Sequence, residues 1–392
     1  MKKSIKTYLK TAAKDYISRS VNPPVVRAST VLFKTMEELR KHQKNIRNGK
    51  DVEHWDYGRQ GTQTTVQLQK LLRVIEEAHQ VFLTPTGFSA VVLAVMSICR
   101  PGDELLISDG VYRPTQKLAD DLLKEFNVKA IWYNPNNFED LKNKVTKKTK
   151  LIYVENPGSN TFEIQDLGKV VSLAKSKNIF TAIDNTWATA YFFKPLKLGF
   201  DISITSATKY YSGHSDVMGG TVAVNKKVYN KVWWYNHVSG YRLSPDDAYL
   251  IIRGLRTLDI RMDKHQESTK KVINFLKTQR KVYKILYPYK TSSKEFKLWK
   301  KYYNGASGLV SLIIKSSSKN SVYKFVNKLE LFGIGYSWGG FESLAVYTDP
   351  VELGKRRYFK LKKNEHLVRL HIGLEDPKDL INDLKSSLKF IK

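Results

Sequence analysis

From residue 62 onward, short apolar runs alternate with longer amphipathic runs, and this alternation restricts the possible folds more than any other feature. Runs such as QVFLT and DELLIS have the length of strands, whereas QTTVQLQKLLRVIEEA has apolar residues mostly at helical spacing. Strands that alternate with helices form a largely parallel sheet covered on both faces. We therefore predict an α/β fold whose ligand chemistry lies at the carboxyl ends of the strands.

The same pattern divides the chain into three parts. Residues 1–58 contain VNPPVV and one short helix, which opens at Thr35 with Glu38 in a capping-box pattern, and this segment is expected to contact a neighbouring subunit. Residues 59–255 form the predicted α/β domain with its mostly parallel central sheet. Residues 256–392, where the spacing of the apolar runs loosens, are expected to form a smaller α+β domain.

The composition excludes several classes of protein. A single cysteine, Cys99, excludes an intramolecular disulfide and a cysteine-based metal cluster, and its apolar surroundings predict a buried position. No metal site is predicted. The N-terminus lacks the apolar region of a secretory signal, and no apolar run reaches the ~20 residues of a membrane span. We therefore expect a cytoplasmic protein without a membrane partner.

The formal net charge of +29 favours one alternative, a basic protein that binds nucleic acid. The lysines are scattered along the chain, however, and the densest stretches, SSKEFKLWKKYY and GKRRYFKLKKN, are short. No zinc-finger or RNA-recognition motif accompanies them. Nucleic-acid binding on an enzyme fold is therefore kept only as a remote alternative, since a compositional bias toward Lys, Asn and Ile explains the charge more simply.

Polar residues that could carry chemistry follow several predicted strands. Asp184 ends IFTAID, Lys209 ends DISITSATK, and Gly87 lies in a turn directly before a helix. Each alone could be a helix cap, a surface lysine or an ordinary turn glycine. Together, at one edge of one sheet, they match the needs of pyridoxal phosphate. An amine forms its Schiff base, a carboxylate holds its pyridine nitrogen, and a helix N-terminus binds its phosphate.

The motifs at these positions resemble the Cys/Met-metabolism family of pyridoxal-phosphate enzymes over essentially the whole chain. They are YGRQGTQT (57–64), AIDNTWATAYFFKPLKLGFDISITSATKYYSGHSDVMGG (182–220), RGLRTL (253–258), YSWGGFESL (336–344) and RLHIGLED (369–376). The resemblance implies the aspartate aminotransferase-like fold (fold type I) of PLP-dependent transferases. Within the family, DNTWA, YSWGG and RLHIGLED are most similar to the bacterial cystathionine β-lyase branch.

The resemblance also implies the residues that bind the cofactor. Lys209 is expected to form the Schiff base, Asp184 to pair with the pyridine nitrogen and Tyr112 to stack on the ring. The phosphate ligands are expected to be the backbone amides of Gly87 and Phe88, the hydroxyls of Ser206 and Thr208, and Tyr57 and Arg59 of a neighbouring subunit. Positions 206, 208 and 209 cannot all share one face of a strand, so a bend or turn is expected here.

The substrate site follows from the same resemblance. Arg369 is expected to bind the substrate α-carboxylate by a planar two-point contact. Ser337 is expected to orient the catalytic lysine, and Trp338 to form a wall of the substrate pocket, which Tyr57 of the neighbouring subunit also reaches. Many relatives have asparagine where Ser159 stands, and serine there is compatible with the β-lyase branch.

The implied reaction is the cleavage of L-cystathionine to homocysteine, pyruvate and ammonia in methionine biosynthesis. Lys209 and Tyr112 are expected to move protons, while Asp184 stabilises negative charge through the cofactor. A shared site implies a homodimer or a homotetramer. Three alternatives within the family remain open, namely a cystathionine γ-lyase, a γ-synthase and a cysteine desulfhydrase. A slow alanine racemase activity is predicted at the same site.

Overall fold

A computed structural model of the chain contains two sheets and confirms the predicted α/β class. It describes residues 4–14, 19–47, 56–288, 294–349, 353 and 356–392. The strands of the larger sheet are β1 (Gln80–Thr84), β2 (Glu104–Ser108), β3 (Lys129–Tyr133), β4 (Thr149–Glu155), β5 (Phe180–Asp184), β6 (Ile202–Ser206) and β7 (Gly220–Val224). Within the described residues, their order is β1-β7-β6-β5-β4-β2-β3, and only β7 runs against the others.

The smaller sheet lies wholly in the C-terminal third of the chain. Its strands are β8 (Val282–Leu286), β9 (Leu309–Lys315), β10 (Leu344–Thr348) and β11 (Glu365–His371). Across the described ranges they are antiparallel, in the order β10-β11-β9-β8. β11 is therefore an inner strand, and its residues are held on both sides by hydrogen-bonded neighbours.

Helices surround both sheets. In the part of the chain that the structure describes, the bounded α-helices are Ile5–Thr11, Met36–Arg47, Gln63–Glu76, Gly87–Ile98, Arg113–Lys117, Leu123–Glu125, Phe138–Asn143, Leu167–Ser176, Thr189–Phe192, Pro195–Leu198, Tyr229–Ser239, Pro245–Leu255, Leu258–Leu276, Lys294–Tyr302, Lys319–Asn327 and Pro377–Ser387. A π-helical turn, Leu118–Leu122, joins two of them, and a 3₁₀ turn, Leu388–Phe390, follows the last. None of the helices in the described ranges has both the length and the apolar character needed to cross a bilayer.

Alternate residues of β4 show why its sequence is apolar without interruption. Leu151 and Tyr153 pack into one apolar cluster, whereas Ile152 and Val154 pack into another. Successive side chains of a strand point to opposite faces, so the sheet is covered on both sides, as predicted. The predicted burial of Cys99 is also confirmed.

Two parts of the fold differ from the prediction. The pattern did not indicate β7, which runs antiparallel between β1 and β6. The described residues of the N-terminal segment form two helices instead of one, and the unpredicted helix Ile5–Thr11 buries Leu9 completely. Thr35 does begin the second helix, since its hydroxyl accepts from the N–H of Glu38, but the Glu38 carboxylate accepts from Lys34.

Candidate active site

Lys209 lies in a turn, not at the end of a strand. β6 ends at Ser206, after which the Lys209 N–H donates to the Ser206 carbonyl at 3.2 Å and the Gly213 N–H to the Lys209 carbonyl at 2.8 Å. The Thr208 hydroxyl fixes this turn to the start of β7, because it accepts from the Gly219 N–H at 3.0 Å and contacts the Gly219 carbonyl at 3.3 Å. The expected bend is therefore present. Contact of Thr208 with a phosphate stays a prediction.

The amine of Lys209 is partly buried beside the loop that joins the two halves of the smaller sheet. Its Nζ donates to Ser337 Oγ at 2.5 Å and lies 5.5 Å from the ring centre of Trp338. Burial and the charge of Arg369 lower the pKa of Lys209 to about 8, although Asp184 opposes this shift. An appreciable fraction of the amine is therefore uncharged near neutral pH, which is the form that acts as nucleophile and base.

The loop after Gly335 approaches the lysine very closely. Ser337 has a left-handed φ of 82°, and Gly339 has a φ of 91°. A Cβ atom at Gly339 would lie 3.0 Å from Lys209 Cα and 2.9 Å from the Tyr210 nitrogen, so glycine is required here. An N–H of Arg369 donates to the Ser337 carbonyl at 3.0 Å. Ser337 therefore contacts both the predicted catalytic lysine and the predicted carboxylate-binding arginine.

Two carboxyl groups lie side by side where β4 and β5 end. Glu155 and Asp184 are partners in the parallel register. Desolvation raises the pKa of Asp184, and desolvation together with the charge of Asp184 raises the pKa of Glu155 well above its ordinary value. Asp184 accepts from the Thr186 N–H at 2.9 Å, and Glu155 accepts from the Tyr112 N–H at 2.6 Å. A desolvated carboxylate of this kind is well suited to pair with a protonated ring nitrogen.

Tyr112 belongs to the same cluster. Desolvation and the charges of Glu155 and Asp184 raise the pKa of its phenol, while Arg369 opposes the shift. The phenol is therefore protonated at neutral pH and can act as a proton donor. Ser159 lies beside the loop that carries Tyr112, since its backbone N–H donates to the Gly110 carbonyl at 2.6 Å.

Gly87 and Ser206 form a cradle at the start of helix Gly87–Ile98. A Cβ atom at Gly87 would lie 2.4 Å from Ser206 Oγ, so the backbone and the hydroxyl are in close contact. Thr86 and Ser89 form a capping box, and the Ser89 N–H donates to Thr86 Oγ1 at 3.0 Å. Within the described residues, the N–H groups of Gly87 and Phe88 have no protein acceptor. Free N–H groups at a helix N-terminus bind phosphate well.

Tyr57 and Arg59 lie outside this cluster within a single chain. Tyr57 is 47% exposed and pairs with Thr30, whereas an N–H of Arg59 donates to the His237 carbonyl at 3.2 Å. Both side chains are exposed. Their predicted contact with the phosphate of a neighbouring subunit stays a prediction.

Sequence reasoning missed a buried arginine that braces the site. Arg356 is 3% exposed and donates to Asp109 at 3.0 Å, to Glu163 at 2.7 Å and to the Thr161 hydroxyl at 2.8 Å. Asp109 directly follows β2 and lies three residues before Tyr112, so Arg356 ties that loop to the smaller sheet. Arg356 lies about 190 to 250 positions from these partners in the chain, and no local pattern could reveal this contact.

Sequence reasoning also missed His371, although a signal was available. His371 lies two residues after Arg369 on β11, and residues i and i+2 of a strand share a face. This spacing indicates that His371 lies on the same face of the strand as the predicted substrate-binding arginine, and therefore close to the site. It is almost fully buried beneath the loop that carries Ser337.

The fold, the turn lysine, the desolvated carboxyl group and the anion cradle fit pyridoxal phosphate and together define a PLP-dependent enzyme. Comparison with known proteins gives the family. The model for "Cys/Met metabolism PLP-dependent enzyme" matches residues 7–389. The chain therefore belongs to the Cys/Met-metabolism family of PLP-dependent enzymes, and its cofactor is pyridoxal 5′-phosphate.

Relatives of this chain have more than one activity in their names. It is 36% identical to the cystathionine β-lyase of Haemophilus influenzae, over 96% of each chain. It is 34% identical to the L-alanine/L-glutamate racemase of Wolbachia pipientis, over 94% of this chain and 92% of that protein. A solved structure, cystathionine γ-synthase from Xanthomonas oryzae pv. oryzae, superposes with a TM-score of 0.90 at 27% identity, covering 100% and 99% of the two chains.

Proposed function

We propose that this chain is a cystathionine β-lyase that cleaves L-cystathionine to homocysteine, pyruvate and ammonia. The observation that carries the proposal is the Lys209 amine, with a pKa of about 8, held beside Ser337 and acted on by the charges of Arg369 and Asp184. The similarity to the Haemophilus influenzae β-lyase over nearly the full length supports this choice within the family.

The proposed roles in holding the cofactor follow from the geometry. Pyridoxal phosphate supplies an electron-accepting ring that stabilises negative charge at the substrate α-carbon. Asp184 would keep the ring nitrogen of the cofactor protonated. Lys209 would attach covalently to the carbonyl carbon of the cofactor. The N–H groups of Gly87 and Phe88 and the hydroxyl of Ser206 would hold its phosphate.

The remaining steps are proton transfers and binding by this chain's own side chains. Burial lowers the pKa of Arg369 only to about 10, so its guanidinium is charged at neutral pH and would bind the substrate α-carboxylate. The amine of Lys209, free once the substrate amino group has taken its place, would then remove the α-proton. The sulfur leaves as a thiol after it receives a proton from Lys209 or from the phenol of Tyr112, whose raised pKa keeps it protonated.

Product analysis tests the proposed reaction against its alternatives. Purified enzyme with bound cofactor is incubated with L-cystathionine, and a β-lyase is expected to release homocysteine and pyruvate. Release of cysteine and 2-oxobutyrate would instead identify a γ-lyase. Hydrogen sulfide from cysteine, without cleavage of cystathionine, would identify a desulfhydrase. A colourless protein in which borohydride fixes no cofactor would favour the remote alternative, a basic nucleic-acid-binding protein.

A slow alanine racemase activity is the second proposed function. The similarity to the Wolbachia pipientis racemase favours it, and Lys209 and Tyr112 offer two proton-carrying groups from different loops. L-Alanine has no β-leaving group, so removal of its α-proton cannot lead to β-elimination, and a proton can be returned to either face of the α-carbon. We expect D-alanine to accumulate with solvent deuterium at the α-carbon. Deuterium without D-alanine would contradict racemisation and leave the lyase proposal intact.

The lowered pKa of Lys209 predicts how cofactor uptake depends on pH. Only an uncharged amine attacks a carbonyl carbon, so uptake by the apo-protein should increase with pH through a midpoint near 8. Uptake is measured by borohydride trapping and mass spectrometry after brief exposure to pyridoxal phosphate. Arg369→Met removes a like charge and should move the midpoint upward, whereas Asp184→Asn should move it downward. A wild-type midpoint near the ordinary ~10.4 of lysine would contradict the assignment.

We also propose that the active unit is at least a homodimer, with Tyr57 and Arg59 completing the site of the partner. Arg59→Ala and Lys209→Ala proteins should each be nearly inactive. Mixing them under conditions of subunit exchange should restore activity, because hybrids contain one site with both native residues, or about one site in four after random exchange. Demonstrated exchange without recovery would contradict a shared site. Mixing two Lys209→Ala preparations with different tags serves as the control.

A further inference from the structure

A buried histidine holds the loop that carries Ser337 and Trp338, and none of the steps proposed above uses it. His371 is 1% exposed. Its Nε2 accepts from the Gly339 N–H at 3.1 Å, and its Nδ1 lies 3.0 Å from the Glu342 carbonyl oxygen. One imidazole ring therefore bonds to both ends of the short segment that follows Trp338.

These two contacts define the state of the ring. Because Nε2 accepts a hydrogen bond, the proton of the neutral ring lies on Nδ1, which donates to the Glu342 carbonyl. A second proton on Nε2 would replace the acceptor with a donor that faces the Gly339 N–H. Burial, the neighbouring His265, and the charges of Arg369 and Lys209 hold the pKa of His371 well below its ordinary value. The ring therefore keeps its acceptor.

The position of Gly339 affects the contacts of Lys209, because the loop has a strained backbone at Ser337 and packs tightly against Lys209 at Gly339. Ser337 adopts a left-handed backbone conformation that a serine keeps only when its surroundings hold it there. Gly339 lies against the backbone of Lys209. A shift of Gly339 would therefore move Ser337 Oγ away from the Lys209 amine and displace Trp338 from its place near the same amine.

We propose that His371 is a positioning residue which, through the Gly339 N–H, holds Ser337 and Trp338 in place against Lys209. The importance of this for catalysis rests on the roles proposed above for Lys209 and Ser337. The claim that His371 holds the loop does not depend on those roles, since it concerns only the contact of His371 with Gly339.

The chain contains a matched control for loss of the ring. His265 packs against His371 with ring centres 5.2 Å apart and is fully buried. Its Nδ1 lies 2.8 Å from the Ile372 carbonyl, and its Nε2 has no partner in the part of the chain that the structure describes. Removing either ring empties similar space in one aromatic cluster, but only His371 bonds to Gly339.

Substitutions can separate the two bonds of His371. In His371→Asn, the amide nitrogen replaces Nδ1 and keeps a donor for Glu342, but the acceptor for Gly339 is lost. In His371→Gln, the longer side chain brings an amide oxygen to the position of Nε2 and keeps that acceptor. His371→Met fills the space without a comparable acceptor, and His265→Asn reports the cost of an empty ring site.

Hydrogen exchange of the segment 337–343 tests the positioning directly, with or without cofactor and substrate. We expect exchange to accelerate about tenfold or more in His371→Asn and His371→Met, and to stay close to wild type in His371→Gln and His265→Asn. In holoenzyme, kcat should fall about 10- to 100-fold in His371→Asn and His371→Met. It should fall less than about threefold in His371→Gln and His265→Asn, with smaller changes in KM throughout.

Several results would overturn the proposal. The ring would only fill space if kcat fell equally in His371→Gln and His371→Met, or if His265→Asn lowered kcat as much as the His371 variants. Unchanged exchange in His371→Asn would also contradict it, and if that variant does not fold, the Gln and Met variants decide. If wild-type enzyme does not cleave cystathionine, the proposed function fails, while the exchange measurements still decide the role of His371.

Discussion

Lys209→Ala is expected to lower kcat for cystathionine cleavage by roughly 10,000-fold or more, because the variant loses both the covalent attachment of the cofactor and the base for the α-proton. The Asp184 carboxyl group, the Gly87 N–H and the Ser206 hydroxyl would remain, so the protein should fold and retain part of its affinity for pyridoxal phosphate. Turnover of L-cystathionine and the absorbance of bound cofactor are the measurements.

A surface lysine provides the control for this result. Lys277 is exposed, and Lys277→Ala should have wild-type turnover and a wild-type cofactor spectrum. Near-normal lyase activity in Lys209→Ala would show that another amine carries the reaction. Loss of activity together with loss of the folded circular dichroism spectrum would instead require the test to be repeated with Lys209→Arg, which keeps the charge and most of the volume.

Asp184→Asn is expected to lower kcat by roughly 100- to 1,000-fold, because a neutral amide cannot hold the pyridine nitrogen in its protonated form. The change preserves shape, so cofactor content should stay close to wild type while its absorption spectrum shifts. Steady-state kinetics and the spectrum of the purified holoenzyme are the measurements.

Glu155→Gln is the matched control, since Glu155 lies opposite Asp184 in the register and is desolvated in the same surroundings. Its carboxyl group accepts from the Tyr112 N–H, and a glutamine oxygen can keep that bond. We expect Glu155→Gln to lower kcat by less than about tenfold. If both variants lose activity equally, the two carboxyl groups act as one unit and the separate assignment of Asp184 is wrong.

Local patterns predict the strands because their apolar runs are buried on both faces and therefore stand out. β7 was missed because a parallel neighbour needs a crossover of a dozen or more residues, usually a helix, and the prediction assumed one. Residues 207–219 between β6 and β7 form turns and an irregular loop instead of a helix, and the chain returns antiparallel. Helix Ile5–Thr11 was missed because it is short and buries a single leucine.

Local patterns also place some residues of the site but not the long-range contacts that support it. Asp184 and Lys209 could be placed together because both follow strands whose carboxyl ends meet at one edge of the sheet. The contacts of His371 with Gly339 and of Arg356 with Asp109 join residues about 30 and 250 positions apart, on different secondary elements. Such contacts depend on how segments distant in the chain pack in three dimensions, and no repeat or spacing in the sequence encodes them.

Arg356 has a consequence for how the molecule unfolds. It reaches from the segment between β10 and β11 into two loops of the larger sheet, where its charge is matched by the buried carboxylates of Asp109 and Glu163. If the smaller sheet unfolded alone, Asp109 and Glu163 would lose their cation, and removing one partner of a buried ion pair costs about 3–5 kcal/mol. The two halves of the molecule are thus coupled in their stability, so heat or denaturant should disrupt them in one cooperative transition.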